Sequence, residues 1–462
     1  MLRKRPSRTT ARDQRMLRLR VLQFSRYVRD FGFWNTVVFG LSKIFPRHFV
    51  LLLHRVSPNV SLATLSAYYN AWEGSVFDYK DWEALGGGKE PATSVDGRAC
   101  FIWFVPDWTN VWGGGHYTLF RFANYFSKKS SRNIIFIYNF AGSGVADIKR
   151  REDDLRMAIE GCRLEVIVDA SKLPRCEGAI ATTWQSAYFV RAFNFALEKF
   201  YFMQDYESLF YAYGTMSMQA NLTYGFGFKG ITGGDWLKGR YEAHNGRAMA
   251  YHFAADKNIF YPASPDNKVR ETVKRLFFYG RPSTERRCFE LGMVALKGIA
   301  EKHPDLEIVI AGLRITEELP FRATMLGNMS LRETGDLYRT CDIGLAFSGT
   351  NLSYLPVELM ASGVPVISNN GAQVEWHCKH GENAYLVDPV PQAIVEGFEA
   401  LYSSPVLRQK LVNGGVASMA ALSWENEMEK VYMYVRGMVG IERANSASGD
   451  KKSWVAANPQ DA

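Results

Sequence analysis

The pattern of apolar and polar positions divides the chain into two halves of the same kind. In the first, "ACFIWFVPDWTNVWGGGHYTLFRFANYFSKKSSRNIIFIYNF" runs as an unbroken apolar stretch, a glycine loop, a segment with apolar residues at helical spacing, and a second unbroken apolar stretch. That order predicts a βαβ unit with buried strands, because a strand covered on both faces loses the alternation of a half-exposed one. The runs "LEVIVDA", "GAIATT", "FYFMQD" and "KGITGG" extend it as a parallel sheet. In the second half, "VKRLFFYGRPSTERRCFELGMVALKGIAEKHPDLEIVIAG" repeats strand, turn, amphipathic helix and strand; "CDIGLAFS" and "GVPVIS" add strands, and a helix from Trp424 to Val439 closes the fold. Prolines and polar residues in "YPASPDNK" mark the break between the halves. The expectation is an α/β protein with two doubly wound, Rossmann-like domains, 99–264 and 265–440, facing each other across a cleft. Such sheets take ligands at the carboxyl ends of their strands.

The flanks read differently. Residues 1–50 mix arginine with Leu, Val, Phe and Trp, and from Leu17 to Phe45 they read as a basic amphipathic helix, suited to an anionic membrane surface, with a solvated arm or a helix packed on its own domain as the alternatives. Residues 51–98 read as an irregular lead-in, and 441–462 as a disordered tail. The net charge of +8 sits almost wholly in this head: residues 1–50 carry +10 and the remaining 412 sum to −2. A nucleic-acid role therefore loses its support, since no folded nucleic-acid motif accompanies the basic segment. The six cysteines are scattered without a C-x-x-C pair, which signals neither a zinc site nor a disulfide framework and fits a reducing cytoplasm. Phe31 to Ser42, the longest uncharged piece of the head, is too short to span a bilayer.

Three constellations fall at strand ends. Gly113, Gly114 and Gly115 lie between a strand and a helix, where absent side chains let backbone N–H groups approach an anion; His116 follows. Gly280 and Arg281 follow the strand "RLFFY", and Arg286, placed in the first turn of the next helix, brings a second guanidinium to a phosphate-sized anion. In "SGTNLSYLPVELMASGVPVI", Pro356 suits the first helical position, which makes Leu355 the N-cap and Glu358 the third residue. A capping box needs Ser or Thr at the N-cap, so Glu358 is expected to find another partner, such as a ligand hydroxyl pair. No G-x-G-x-x-G follows a strand, and neither G-x-x-x-x-G-K-[ST] nor D-x-D occurs in the chain. Dinucleotide, P-loop and paired-aspartate metal sites are therefore not expected, and no cofactor is.

With these residues in place, the stretch from about 250 to 430 resembles the nucleotide-binding half of a GT-B glycosyltransferase of family 4. "FYGRPSTERR", "KHPDLEIVIAG", "LGNMSLRETGDLYRTCDIGLAFS", "PVELMASGVPVIS", "GENAYLVDP" and "LSWE" occur in that family's order. More narrowly, "WFVPDWTNVWGGGHYTLFR", "YFMQDYESLFY" and "YGRPSTERRCFELG" are similar to bacterial rhamnosyltransferases that use dTDP-rhamnose to build cell-surface glycans. The resemblance implies that Gly280, Arg281 and Arg286 meet the donor diphosphate, that Glu358 holds the ribose hydroxyls, and that Thr350, Asn351, Leu352 and Ser353 meet sugar and diphosphate through their backbone. It implies that Gly113 to Gly115 face the diphosphate from the other domain, with His116 and Asp205 as catalytic candidates at the sugar or the acceptor. Family members commonly carry a glutamate where this chain has Thr350, a departure compatible with a deoxy sugar. The implied activity is metal-independent, retaining transfer to a hydroxyl of a growing cell-surface glycan, in the cytoplasm or peripherally on its membrane. The rivals are a sugar-nucleotide epimerase of the same shape and a catalytically inactive, membrane-docked binding subunit.

Overall fold

The computed structural model describes residues 98–440, apart from 141, 143, 265 and 315–317. The amphipathic helix expected over 17–45, the lead-in up to 97 and the tail from 441 lie outside these residues.

Two wholly parallel sheets form where the apolar runs predict them. The first has seven strands in the order β3-β2-β1-β4-β5-β6-β7, from β1 (Cys100–Val105), β2 (Arg132–Ile137), β3 (Glu165–Ile167), β4 (Cys176–Ala181), β5 (Ala196–Met203), β6 (Lys229–Gly233) and β7 (Arg247–Tyr251). The second has six in the order β10-β9-β8-β11-β12-β13, from β8 (Arg275–Tyr279), β9 (Glu307–Ala311), β10 (Thr324–Gly327), β11 (Ile343–Leu345), β12 (Val366–Asn369) and β13 (Tyr385–Val387). β1 is buried along its whole length, as a central strand must be. Its Trp103 donates its indole N–H to Asn133 on β2 at 3.0 Å, so the one polar atom of that ring is satisfied inside the sheet. Helix α1 (Gly114–Lys128) covers β1, and the Phe126 ring meets Phe101 and Trp103 edge-on at 5.5 Å. Each sheet reverses its strand order once, between β1 and β4 and between β8 and β11. The loops leaving those strands are therefore the geometrically favoured ligand positions.

The closing helix Trp424–Val439 has the predicted bounds, but it packs on the first sheet's side rather than with the domain that precedes it. Its Tyr432 meets Phe126 edge-on at 5.0 Å and donates to the Lys129 carbonyl, and Glu429 pairs with Lys129 at 2.9 Å. Its buried Glu427 accepts the backbone N–H of His252 at 2.9 Å and the Lys430 ammonium at 2.6 Å, and the His252 ring lies 3.8 Å away with Asp235 on its other nitrogen at 2.9 Å. Burial alone would raise the Glu427 carboxyl, but the hydrogen bonds from His252 and Lys430 outweigh it and hold the group at about 2. The hydrogen bond to Glu427 raises His252 against a smaller opposing effect of burial, with Asp235 adding to the rise.

The signs fix a pH window. A depressed carboxyl stabilises fully above its ordinary value of 4.5 and loses that as pH falls toward about 2; a raised histidine stabilises fully below 6.5 and loses that as pH rises through its folded value. The contact is therefore strongest between 4.5 and 6.5. Glu427→Ala is expected to lower unfolding stability by about 3 kcal/mol near pH 6, since it removes the stabilisation of the depressed carboxyl and leaves the His252 N–H without its acceptor. Denaturant unfolding from pH 3 to 9 should show the deficit shrinking at both ends.

Candidate active site

The loops at both reversal points face each other, and most of the sequence-selected residues gather there. After β8, the Gly280 N–H donates to the Ala311 carbonyl at 2.8 Å and turns the chain; Arg281 beyond it is exposed. Arg286 does not lie in a helical first turn as expected. It sits in a 3-10 turn, Glu285–Arg287, set off from the next helix (Phe289–Lys302) by Cys288 in the left-handed conformation, φ 52°. That turn lays the Arg286 guanidinium over the Phe210 ring at 3.8 Å and its Nε at 3.3 Å from Asp205, misaligned for donation, so Nε is buried without a hydrogen-bond acceptor. Burial lowers the Arg286 pKa, with Asp205 raising it and Arg281 adding repulsion.

The loop after β11 is tied to this turn. Arg287, which the sequence reading passed over for its neighbour, donates from Nη1 to the Ser348 hydroxyl at 2.8 Å and to the Asn351 carbonyl at 2.9 Å. Burial pulls its pKa down to about 10, Asp205 offsetting part of the drop. The Gly349 N–H donates to the Arg286 carbonyl at 2.8 Å. Thr350, Asn351 and Leu352 are buried, and Ser353 is half-buried.

The following helix, α2 here (Tyr354–Ala361), begins two residues earlier than expected: Ser353, not Leu355, is the N-cap, and Pro356 is the third residue. Proline is compatible there because the amides of a first turn have no intrahelical acceptor. The Tyr354 and Leu355 N–H groups ahead of it have no intrahelical acceptor, and the Ser353 side chain caps neither. Glu358 thus lies one turn deep, half-buried, with the Tyr338 hydroxyl beside it. Burial pushes its carboxyl up to about 8, with Arg121 of the first domain and Tyr338 offsetting part of the rise.

From the first domain, Gly114 and Gly115 are exposed, and their φ angles are not positive. An added Cβ would meet Tyr354 or Gln204 at 3.5 Å, an ordinary contact, so nothing in the chain itself requires glycine at these two positions. Gly113 is the uncapped N-cap of α1, whose first turn holds no acid. His116 is half-buried beside Trp108 and Phe120; burial lowers its pKa, and its Nε2 is buried without a partner. Asp205, at the end of β5, is buried against the 350–351 loop of the other domain, with its Oδ2 2.9 Å from the Thr350 hydroxyl. Close by, Glu207 accepts the Trp184 N–H, and burial pushes it up to about 8.

Two cavities lie apart from these loops, about 400 Å³ beside Tyr117, Arg121 and Trp424 and about 340 Å³ beside Trp376, Lys379 and Asn383. Among the described residues no group of three His, Cys, Asp or Glu could hold a metal ion, and no helix is long and apolar enough to cross a membrane.

Comparison with solved structures decides the architecture. The chain superposes on sucrose-phosphate synthase from Thermosynechococcus elongatus with a TM-score of 0.57 at 12% identity, covering 74% of this chain and 100% of that one. Anabaena Alr3699/HepE in complex with UDP and glucose gives 0.56 at 13% identity, covering 73% and 99%. The fold is GT-B. Within it, residues 274–399 match the family described as WsaF, C-terminal domain. The chain is 37% identical over 363 residues to the O-antigen biosynthesis protein RfbC of Myxococcus xanthus, covering 76% of this chain and 28% of that protein. It is 24% identical over 217 residues to the phosphatidyl-myo-inositol mannosyltransferase of Mycobacterium tuberculosis, covering 42% and 56%. This GT-B chain thus spans little more than a quarter of RfbC and about half of the mannosyltransferase.

A raised Glu358 gives a second pH signature. Because its folded pKa lies above the ordinary 4.5, its burial is tolerated fully below 4.5 and weakens the fold as pH rises toward about 8. Glu358→Gln is expected to gain stability over the wild type between pH 5 and pH 8. Thermal melts of both proteins across that range check it; a pH-independent difference contradicts it.

Proposed function

We propose that the chain is a glycosyltransferase that moves a sugar from a nucleoside diphosphate donor to a hydroxyl of a growing cell-surface glycan. The observation that carries this is the cation arrangement at the β8/β11 reversal: exposed Arg281, and Arg286 with a buried Nε lacking an acceptor, opposite the two open N–H groups of the helix at Tyr354. A multiply charged anion answers all three. Exposed Gly114 and Gly115, which no internal contact requires, allow a ligand close approach from the other side. The likeness to an O-antigen biosynthesis protein, a mannosyltransferase and a structure holding UDP and glucose supports the same chemistry.

In this reading the donor's C1–O bond breaks, and the charge growing on the leaving diphosphate is stabilised by Arg281 and Arg286 together with the helix N-terminus. The acceptor oxygen bonds to C1 and its proton leaves with the diphosphate. Glu358 holds the ribose hydroxyls, and His116 Nε2, buried without a hydrogen-bond partner among the described residues, is assigned to a sugar hydroxyl. Closure of the two domains excludes water from the reacting centre. We place dTDP-rhamnose first among donors, on the motif resemblance and on Thr350, which offers a hydroxyl where a carboxylate would grip a fully hydroxylated hexose. Transfer without a metal, with retention of configuration, in the cytoplasm at a membrane surface approached by residues 1–45, completes the proposal.

Incubation with dTDP-rhamnose, UDP-sugars or GDP-sugars, with and without an oligosaccharide primer, tests it. Nucleoside diphosphate release only with primer is the expected result. Interconversion without primer would show an epimerase, and binding without turnover a binding subunit. Arg286→Ala and Glu358→Gln should each weaken nucleoside diphosphate binding about 10- to 100-fold in calorimetry, the loss expected for one hydrogen bond to a charged group. Unchanged affinity in both would remove the site assignment. Deletion of residues 1–45 should abolish sedimentation with anionic vesicles; equal sedimentation would remove the membrane contact.

A further inference from the structure

Asp205 was expected to touch sugar or acceptor, but its carboxylate is already engaged. Oδ1 accepts the N–H of Tyr206 and that of Asn351, both at 2.9 Å, and Oδ2 accepts the Thr350 hydroxyl at 2.9 Å, with Arg286 at 3.3 Å and Arg287 at 3.6 Å. The three hydrogen bonds take three of the roughly four lone-pair positions a carboxylate offers, and the two guanidiniums stand off beside Oδ2. Asn351 is also committed. Its side-chain amide donates to the carbonyls of Gln204 at 3.0 Å and Gly233 at 2.6 Å and accepts the Trp376 indole N–H at 3.1 Å. Thr350 and Asn351 are 2% and 0% exposed. The loop after β11, at the point where a GT-B donor would be met, is therefore sewn to the ends of β5 and β6.

We propose that Asp205 is a latch that holds the Thr350–Asn351 loop shut against the first domain and must release it before that loop can meet a donor. This rests on the donor reading given above. Two features favour release over permanent attachment. The bonds from Asp205 to the loop are short, whereas the arginines stand off at 3.3 and 3.6 Å and Arg286 Nε has no acceptor. Of the two arginines, Arg286 thus keeps a donor for a more highly charged anion. A diphosphate arriving at them would also repel the Asp205 carboxylate, so latch and ligand exclude one another. Thr350 finds its explanation here: a glutamate in its place would set a second carboxylate against Asp205 in a buried seam, whereas a hydroxyl donates to it.

The consequence is measurable in the full chain. A closed, donor-free form lowers the apparent affinity by the fraction of molecules that are open. In Asp205→Ala, the Asn351 amide should exchange its hydrogen at least about tenfold faster. The same variant should bind dTDP and UDP several-fold more tightly in calorimetry. Unchanged exchange overturns the latch, and so does faster exchange with weaker binding, which would make Asp205 a residue that prepares the loop for its ligand. If Asp205→Ala does not fold, Thr350→Val, which removes one neutral hydrogen bond, should shift both readouts in the same direction by less; no shift in either overturns the proposal. Failure of the wild type and of both variants to bind dTDP or UDP would remove the donor reading, while the exchange rates alone would still decide whether Asp205 holds the loop.

Discussion

The seam between the ends of β5 and β6 and the loop after β11 sets the geometry of everything around it. Asn351 reaches across with a backbone N–H and a side-chain amide, and Asp205 returns the contact with both oxygens. Because each polar group there is buried, opening the seam without a replacement partner would leave several unsatisfied at once. Gly234 shows how close the approach is: its φ of +91° already favours glycine, and a Cβ would sit 2.5 Å from the Trp376 ring. The second domain's loop and the first domain's strand ends are in this sense one structure.

Charge in the site follows from that closeness. Arg286 and Arg287 are adjacent in sequence and both stand near Asp205 Oδ2, at 3.3 and 3.6 Å, but they do different work. Arg287 is spent on Ser348 and the Asn351 carbonyl and fixes the loop; Arg286 lies over Phe210 and keeps an unused donor. A single acid, Asp205, faces both. Arg286 thus keeps a donor that the described residues leave unsatisfied, which is the physical basis for assigning an anionic ligand.

Much of the fold was legible, for a simple reason: buried parallel strands are continuous apolar runs, and every quoted run became a strand. The closing helix was legible in extent but not in destination, since periodicity shows an apolar face and not what covers it. The helix start at Ser353 was missed because Pro356 reads equally well at the first or the third position. In the site, Arg281 and Arg286 could be picked out from their place after a strand, and the Thr350–Ser353 segment from the family resemblance. Arg287 could not be separated from Arg286 without the turn geometry. The bond between Asp205 and Thr350 joins residues 145 positions apart, and no local pattern announces such a pairing. Tyr338 as the neighbour of Glu358 was hidden for the same reason.

The central claim is that a nucleoside diphosphate binds at the β8/β11 reversal and draws on Arg281, Arg286 and the amides of Tyr354 and Leu355. A crystal structure of the chain with a bound nucleoside diphosphate tests it most directly. Phosphate oxygens are expected within hydrogen-bonding distance of the Arg286 guanidinium and of those two amides, with the ribose against Glu358. A nucleotide bound elsewhere, with Arg286 still lying over Phe210 and free of phosphate, would contradict it.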